Sequence, residues 1–115
     1  MDLKFDAIFY YVSDLDRSIQ FYRDLLEFKL HSQDLVARFY IGNVLFELVP
    51  ISGQSKLQGN GNARLCLKVD DIQSSISELR AKGVAIQDAE KKANGFLSAF
   101  SDPDGNEVCL WQYTS

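Results

Sequence analysis

The sequence predicts an α+β fold in which two βαβββ modules form a curved mixed sheet with a concave cleft. The first observation is an internal repeat. The sequence pattern of residues 12–19 recurs at residues 69–76, at an offset of 57 residues, which is about half of the 115-residue chain. The second is that each copy is an apolar run that meets an acidic or hydroxyl cap and continues as a helical pattern. The third is a Gly-Asn turn later in each half, at Gly42-Asn43 and Gly105-Asn106. Two copies are too few for a solenoid, so we expect modules that cover each other's apolar faces and leave a cleft where they meet.

Length and composition indicate one globular domain, residues 1–115, with module one at about 4–52 and module two at about 62–115. The chain is 46% hydrophobic and 24% charged, which is ordinary for a soluble protein. Its net charge is −4 and its basic residues are scattered, whereas nucleic-acid binding needs a basic patch. No run reaches the roughly 18 apolar residues of a membrane span, and the first residues lack a signal-peptide pattern. We therefore expect a cytoplasmic protein that binds neither nucleic acid nor membrane.

The elements of module one follow in chain order. Residues 5–12 form a continuous apolar and aromatic run, typical of a strand covered on both faces. Ser13 is the expected N-cap of the first helix, with Asp16 near the capping-box position. Residues 34–41 and 44–50 have the pattern of a hairpin, and residues 51–62 that of a linker. The buried stripe of the helix is expected at Leu15, Ile19, Tyr22 and Leu26.

Module two repeats this order. Residues 64–69 alternate as a strand, and Asp70 is the expected cap of the second helix, with Gln73 in the box position. Gly83 is well placed to end this helix as its C′ residue. The buried stripe is expected at Ile72, Ile76 and Leu79. The remaining segments are a short strand at 84–86, a polar stretch at 87–95, a strand at 96–101, a turn at 102–106 and a strand at 107–112.

Three segments resemble the vicinal oxygen chelate superfamily: VSDLDRSIQFY at 12–22, VDDI at 69–72 and SDPDGNEV at 101–108. This superfamily includes glyoxalase I, bleomycin-resistance proteins, fosfomycin-resistance enzymes and extradiol dioxygenases. The resemblance covers nearly the whole chain and is specific for the fold, but one fold hosts many activities. It also implies a homodimer, since small members commonly form their clefts at an interface between chains.

In metal-dependent members, the resemblance implies four ligand positions, which fall here on Ala7, Glu47, Arg64 and Cys109. Histidine or glutamate usually stands at these places. Alanine has no donor atom and arginine is a cation, so Glu47 and Cys109 fall short of the three protein ligands of a catalytic zinc site. The sequence therefore predicts no metal and no cofactor.

The remaining histidine and cysteine chemistry is sparse. His31, the lone histidine, is expected in a solvent-facing loop past the first helix rather than on a strand. Cys66 and Cys109 lack zinc-site spacing and are expected to be buried free thiols in a reducing cytosol.

Strand alternation predicts which side chains share the concave face. On that face we expect Ala7, Phe9 and Tyr11 of the first strand, Leu45, Glu47 and Val49, then Arg64, Cys66 and Lys68, and finally Glu107, Cys109 and Trp111. The predicted ligand-binding residues are Phe9, Tyr11, Glu47, Arg64, Cys66, Cys109 and Trp111. An aromatic cluster with a few polar groups suits a planar or amphipathic small molecule. Two alternatives remain, that the three aromatic residues fill a core and that Glu47 forms a structural ion pair with Arg64.

Two functions are consistent with these patterns. The first is non-catalytic binding or sequestration of a small aromatic molecule, as in bleomycin-resistance proteins. The second is a glyoxalase-like lyase or isomerase, or a dioxygenase-related enzyme, with Glu47 as general base or with a metal completed by a second chain. No catalytic triad, phosphate loop or dinucleotide fingerprint is present, and the missing metal ligands favour the first. Glu47 and the acidic net charge favour a cationic ligand, whereas Arg64 favours an anionic one.

Overall fold

The chain divides into two units, Met1–Leu57 and Gln58–Ser115, each with its own sheet and helix. The computed structural model describes residues 1–51, 59 and 61–114. The predicted modules fall one in each unit, and most of the predicted linker, residues 51–62, lies outside the described residues. In the part of the chain that the structure describes, no helix is long and apolar enough to cross a bilayer.

Unit one is a four-stranded mixed sheet of order β1-β4-β3-β2 with one helix. Strands β1 and β4 run parallel, and β3 pairs antiparallel with both β4 and β2. The predicted strand at 34–41 begins only at Ala37, because Asp34 forms a turn whose carboxylate accepts from the Val36 N–H (3.0 Å). Strand β2 was not predicted. The elements are β1 Ala7–Val12, α1 Leu15–Gln20, β2 Leu30–Gln33, β3 Ala37–Ile41 and β4 Val44–Pro50.

Helix α1 is capped by Asp14, not by Ser13 as predicted. The Asp14 carboxylate accepts from the backbone N–H of Arg17 (3.1 Å), while the Ser13 hydroxyl accepts from the Arg17 guanidinium (2.9 Å). Asp14 is extended and its side chain satisfies one of the free N–H groups of the first turn. The helix continues into a π-helical turn, Phe21–Leu25, and its stripe is positioned as predicted, with Ile19 and Tyr22 buried.

An aromatic core lies between α1 and the sheet. The Tyr22 ring is fully buried. The centroids of the Tyr22 and Phe46 rings lie 5.1 Å apart, and the two rings meet edge to face. Phe39 and Phe28 extend the cluster, and Tyr10 joins it from β1. Such edge-to-face contacts add to the stabilisation from the buried apolar area.

Unit two has the same topology, with sheet order β5-β8-β7-β6 and the parallel pair β5–β8 at one edge. The prediction of two βαβββ modules in an α+β fold is therefore confirmed. Its core is mainly aliphatic, from Leu65, Ile72, Ile76, Val108 and Leu110. The elements are β5 Leu65–Lys68, α2 Ile72–Ala81, β6 Glu90–Lys92, β7 Gly95–Ser101 and β8 Glu107–Tyr113.

The ends of α2 follow known capping rules, with one correction. The N-cap is Asp71 rather than Asp70, since the Asp71 carboxylate accepts from the Ser74 N–H (3.1 Å). At the other end Gly83 has φ of 89° and is the C′ residue, as predicted. The N–H of Val84 bonds to the Leu79 carbonyl (3.0 Å), which completes a Schellman motif.

The predicted strand at 84–86 is wrong. Val84 and Ile86 are buried, but the first strand after α2 is β6, which consists of three exposed charged residues inside the stretch that was predicted to be polar. The segment after Ile86 is attached to β7 by Gln87, whose carbonyl accepts from the Ser98 hydroxyl (2.6 Å). A short apolar run marks burial, and periodicity alone cannot distinguish a strand from a buried connection.

The turn at 102–106 is organised by one buried carboxylate. Asp102 is 5% exposed and its Oδ1 accepts from the N–H groups of Asp104 and Asn106, both at 2.9 Å. Its Oδ2 accepts from the Asn106 side chain (2.9 Å), and Gly105 has φ of 81°. The Asp-Pro-Asp-Gly-Asn sequence is therefore explained by turn geometry, and these contacts need no catalytic role.

Candidate functional site

The face of the first sheet that is turned away from its aromatic core carries two aromatic side chains. Tyr10 and Val12 are buried on the core side of β1, whereas Phe9 and Tyr11 are 48% and 49% exposed on the other side. Their ring centroids lie 5.3 Å apart with the planes nearly perpendicular. The predicted alternation therefore places Phe9 and Tyr11 together, outside the core of their own unit. Ile8 departs from this alternation, because it has the same parity as Tyr10 and Val12 but is exposed.

Glu47 lies on the same face and is ion-paired inside its own sheet. It is opposite Phe9 on β1 and opposite Arg38 on β3. The Arg38 Nε lies 3.3 Å from the Glu47 Oε2, and only 19% of the Glu47 side chain is exposed. The alternative that Glu47 pairs with Arg64 is wrong, because Arg38 occupies that role.

Arg38 is held from a second side by the β2–β3 turn. Its guanidinium donates to Asp34 Oδ2 (3.1 Å) and more weakly to the Ser32 hydroxyl (3.4 Å). The pKa of Asp34 is lowered, first by the backbone N–H of Val36 and then by Arg38. Arg38 thus links two carboxylates, which fixes the orientation of Glu47.

The equivalent face of the second sheet carries both cysteines. Cys66 on β5 is directly opposite Cys109 on β8, so the two side chains share a face. Both are free thiols; Cys109 is buried, as expected, whereas Cys66 is exposed, contrary to the prediction. Burial raises the pKa of the Cys66 thiol, and burial together with the neighbouring Cys66 raises that of Cys109.

Arg64 precedes β5 and is bound within its own unit. Its guanidinium forms an ion pair with Glu107 at the start of β8. It also donates to the backbone carbonyls of Gly61 and Ala63, the latter at 2.9 Å. Arg64 is therefore a neutralised structural cation at one end of this face.

Trp111 lies at the other end of this face and is half-buried. It is opposite Lys68 on β5 and Leu97 on β7. Its indole ring covers Gly95, where a Cβ would collide with the ring. The Tyr113 ring lies 5.5 Å away, edge-on. Trp111 is thus partly held by its own sheet, and part of its ring remains accessible.

The strand registers identify which positions of the two sheets are equivalent. The 57-residue offset relates Phe9 to Cys66, and these residues are opposite Glu47 and Cys109 respectively. Glu47 and Cys109 therefore occupy equivalent positions in the two sheets. The family resemblance assigns both of them to ligand positions, which agrees with this equivalence.

The donor set at the four positions that the resemblance implies does not fit a divalent metal. Ala7 has no donor atom, Arg64 is a cation bound to Glu107, and Glu47 is bound to Arg38. Among the described residues, no group of three or more His, Cys, Asp and Glu side chains is placed to hold a metal ion.

His31 lies on strand β2, so the prediction of a loop is wrong, although it does face solvent. Its ring is edge-on to Tyr40 with centroids 5.0 Å apart. The two residues line an open pocket of about 290 Å³ together with Lys29 and Leu30. The sequence gives no signal for this pocket, because the residues of β2 have no clear strand pattern.

Comparison with known proteins agrees with this architecture. Residues 4–110 match the model of the Glyoxalase/Bleomycin resistance protein/Dioxygenase superfamily. A probable lactoylglutathione lyase of Synechocystis sp. is 33% identical over 119 aligned positions, which cover 90% of this chain and 91% of that protein. Lactoylglutathione lyase GLX1 of Arabidopsis thaliana is 30% identical, but the match spans only 41% of its length.

Solved structures give the same fold at lower identity. The antibiotic-binding protein TnmS3 from Streptomyces sp. CB03234 superposes with a TM-score of 0.75 at 23% identity, over 99% of this chain and 100% of that one. The structure of SMU.1112c superposes with a TM-score of 0.82 at 21% identity, over 96% and 99% of the two chains. These two likenesses concern the fold alone. By the family match over residues 4–110 and the full-length cyanobacterial relative, the chain belongs to the glyoxalase/bleomycin resistance protein/dioxygenase superfamily.

Proposed function

We propose that this protein binds a planar aromatic small molecule and does not carry out metal-dependent catalysis. The observation that carries the proposal is the replacement of metal donors by Ala7 and by an arginine that is bound to Glu107. The same sheet faces present aromatic rings instead. The name of TnmS3, an antibiotic-binding protein of the same fold, is consistent with such a role.

The aromatic side chains supply the main attraction. Phe9 and Tyr11 are each about half exposed, so a planar ligand gains contact area with both rings. A stacked or edge-on aromatic contact contributes about 0.5–1.5 kcal/mol beyond the area that it buries. Trp111, on the other sheet, offers a larger ring with its position fixed by Gly95.

Charge contributes less than the sequence suggests. Glu47 is paired with Arg38, and Arg64 is paired with Glu107, so neither side chain presents an isolated charge to a ligand. Because Glu47 is already paired, it gives less reason to expect a cationic ligand. Lys68, opposite Trp111 and exposed, favours a ligand with an acidic or neutral substituent on that sheet.

Fluorescence titration tests the proposal, since Trp111 is the only tryptophan of the chain. Suitable probes are the cationic dye proflavine, neutral acridone and anionic 1-anilinonaphthalene-8-sulfonate. We expect at least one to quench Trp111 emission saturably and to raise the melting temperature. By calorimetry, Trp111→Ala is expected to weaken its binding by about 1–3 kcal/mol, the order of one stacking contact plus its buried area.

Matched variants separate the two faces. Phe9→Ala tests the first sheet, and Leu35→Ala, which removes an exposed apolar side chain from the β2–β3 turn, is the control. Unchanged affinity in both Phe9→Ala and Trp111→Ala, with the circular dichroism of the wild type, would contradict the aromatic site.

A glyoxalase-like lyase is the second candidate, favoured by the 33% identity to the cyanobacterial relative over nearly the whole chain. Glu47 would act as base or as one ligand of a metal completed by a second chain. Lactoylglutathione lyase activity should be assayed with and without added Zn²⁺ or Ni²⁺. Activity that is abolished in Glu47→Gln would overturn the binding-only proposal, and no activity under either condition would support it.

A further inference from the structure

Two thiols face each other across the parallel strands β5 and β8. Cys66 and Cys109 are register partners, and neighbouring strands lie about 4.7–4.9 Å apart. Register partners project to the same face, so the two sulfur atoms emerge side by side. Cys66 is exposed, which gives solutes access to the pair.

The strand spacing is compatible with either a disulfide or a bridging ion. Disulfides span Cα–Cα distances of about 4.4–6.8 Å, which include the spacing of neighbouring strands, but both cysteines are free thiols in this structure and are therefore available to an ion. Two metal–sulfur bonds of about 2.3 Å in a nearly linear arrangement place the sulfur atoms about 4.6 Å apart, close to the strand spacing. Soft thiolate ligands select Cu(I), which readily accepts two-coordinate linear geometry.

We propose that Cys66 and Cys109 form a two-thiolate site for Cu(I). On binding, two S–H bonds break, two Cu–S bonds form, and both protons pass to solvent, with no change of oxidation state. This site shares Cys109 with the four positions that the family implies, but its second ligand, Cys66, is not one of them. It is also independent of the proposed aromatic-ligand function.

The charges of the flanking side chains are opposite in sign to the charge of the copper–dithiolate complex. A Cu(I) ion with two thiolates has a net charge of −1. Arg64 and Lys68 flank Cys66 on the same face, and Glu107 flanks Cys109, so the three side chains contribute a net charge of +1. No third Cys, His, Asp or Glu completes a cluster among the described residues, which disfavours zinc because zinc prefers four ligands.

The test is anaerobic competition for Cu(I) against bathocuproine disulfonate, with ascorbate present. The wild type is expected to bind one Cu(I) per chain, and X-ray absorption should show two sulfur neighbours. Cys66→Ser and Cys109→Ser should each weaken binding by more than the roughly 10–100-fold effect of changing an outer contact. Ser77→Ala, on an exposed position of α2, is the matched control and should retain wild-type affinity.

Several results would overturn the proposal. One is wild-type affinity in Cys66→Ser, which is exposed and is not expected to disturb the fold. Another is a stoichiometry of one copper per two chains, because the proposed site lies within one chain and the ion would then bridge two molecules. Zn²⁺ bound more tightly than Cu(I) would point to a site of the family type instead.

Discussion

Ser18 is fully buried in α1, and its hydroxyl oxygen has no hydrogen-bond partner among the described residues. A buried polar group without a partner is destabilising, and alanine is the better helix former. Ser18→Ala should therefore raise the free energy of unfolding by about 1 kcal/mol in urea titrations. Ser77→Ala changes an exposed helical serine and controls for helix propensity. A loss of stability specific to Ser18→Ala would show that the hydroxyl is satisfied in solution.

Asp34 links the acid stability of unit one to the turn before β3. Its pKa is lowered from 3.8 by the Val36 N–H and by Arg38, so this carboxylate contributes stability above its unfolded pKa. That contribution is lost as pH falls through the lower, folded pKa. Asp34→Asn should flatten the stability profile below pH 3.8 in urea titrations across acid pH. An unchanged profile would assign acid sensitivity to other groups.

Part of the candidate site could be predicted from residue spacing alone. The two-residue turn Gly42-Asn43 pairs Ile41 with Val44, and counting back along both strands places Arg38 opposite Glu47. The ion pair between Arg38 and Glu47 could therefore be predicted from the sequence. The partner of Arg64 was harder to predict, because the parallel pairing of β5 with β8 depends on a crossover rather than on a turn.

At the scale of elements, Gly95 fixes the position of Trp111. A Cβ at Gly95 would collide with the indole ring and with the Gln112 carbonyl oxygen. Gly95→Ala should cost about 1–3 kcal/mol, as overpacking usually does, and should shift Trp111 emission. Lys91→Ala, on the exposed edge strand β6, is the control. Wild-type stability and emission in Gly95→Ala would mean that the ring moves away without cost.

Helices and apolar strands were predictable, whereas the edge strands were not. The stripes and caps of α1 and α2 follow from local periodicity, and the two cap corrections are each one residue. Strands β2 and β6 are short and polar, and β6 consists of Glu-Lys-Lys. Short length and charged side chains on edge strands discourage edge-to-edge association between molecules. The same two features remove the alternating apolar pattern by which strands are recognised in a sequence.

At the scale of the whole molecule, the repeat predicts topology but not composition of the two cores. Both units have the same strand order, yet unit one is built around Tyr22, Phe39 and Phe46, while unit two is mainly aliphatic. Binary patterning requires only that buried positions be apolar and of suitable total volume. The same topology can therefore carry different side chains on the sheet face that is turned away from each core. In unit one this face carries the aromatic rings of Phe9 and Tyr11, and in unit two it carries the two thiols.

The exposed apolar surface near β1 predicts a homodimer. Strand β1 is at one edge of its sheet, and Ile8, Phe9 and Tyr11 are exposed along it, with Phe5 72% exposed just before it. Contiguous exposed apolar residues and strand edges are typical of surfaces that associate. Light scattering at micromolar concentration should give twice the chain mass of 13.0 kDa. Ile8→Lys should shift the mass towards 13.0 kDa, while Leu35→Lys, in the β2–β3 turn, should not. A wild type that remains at 13.0 kDa would leave these side chains free for ligand binding alone, because no second chain would then cover them.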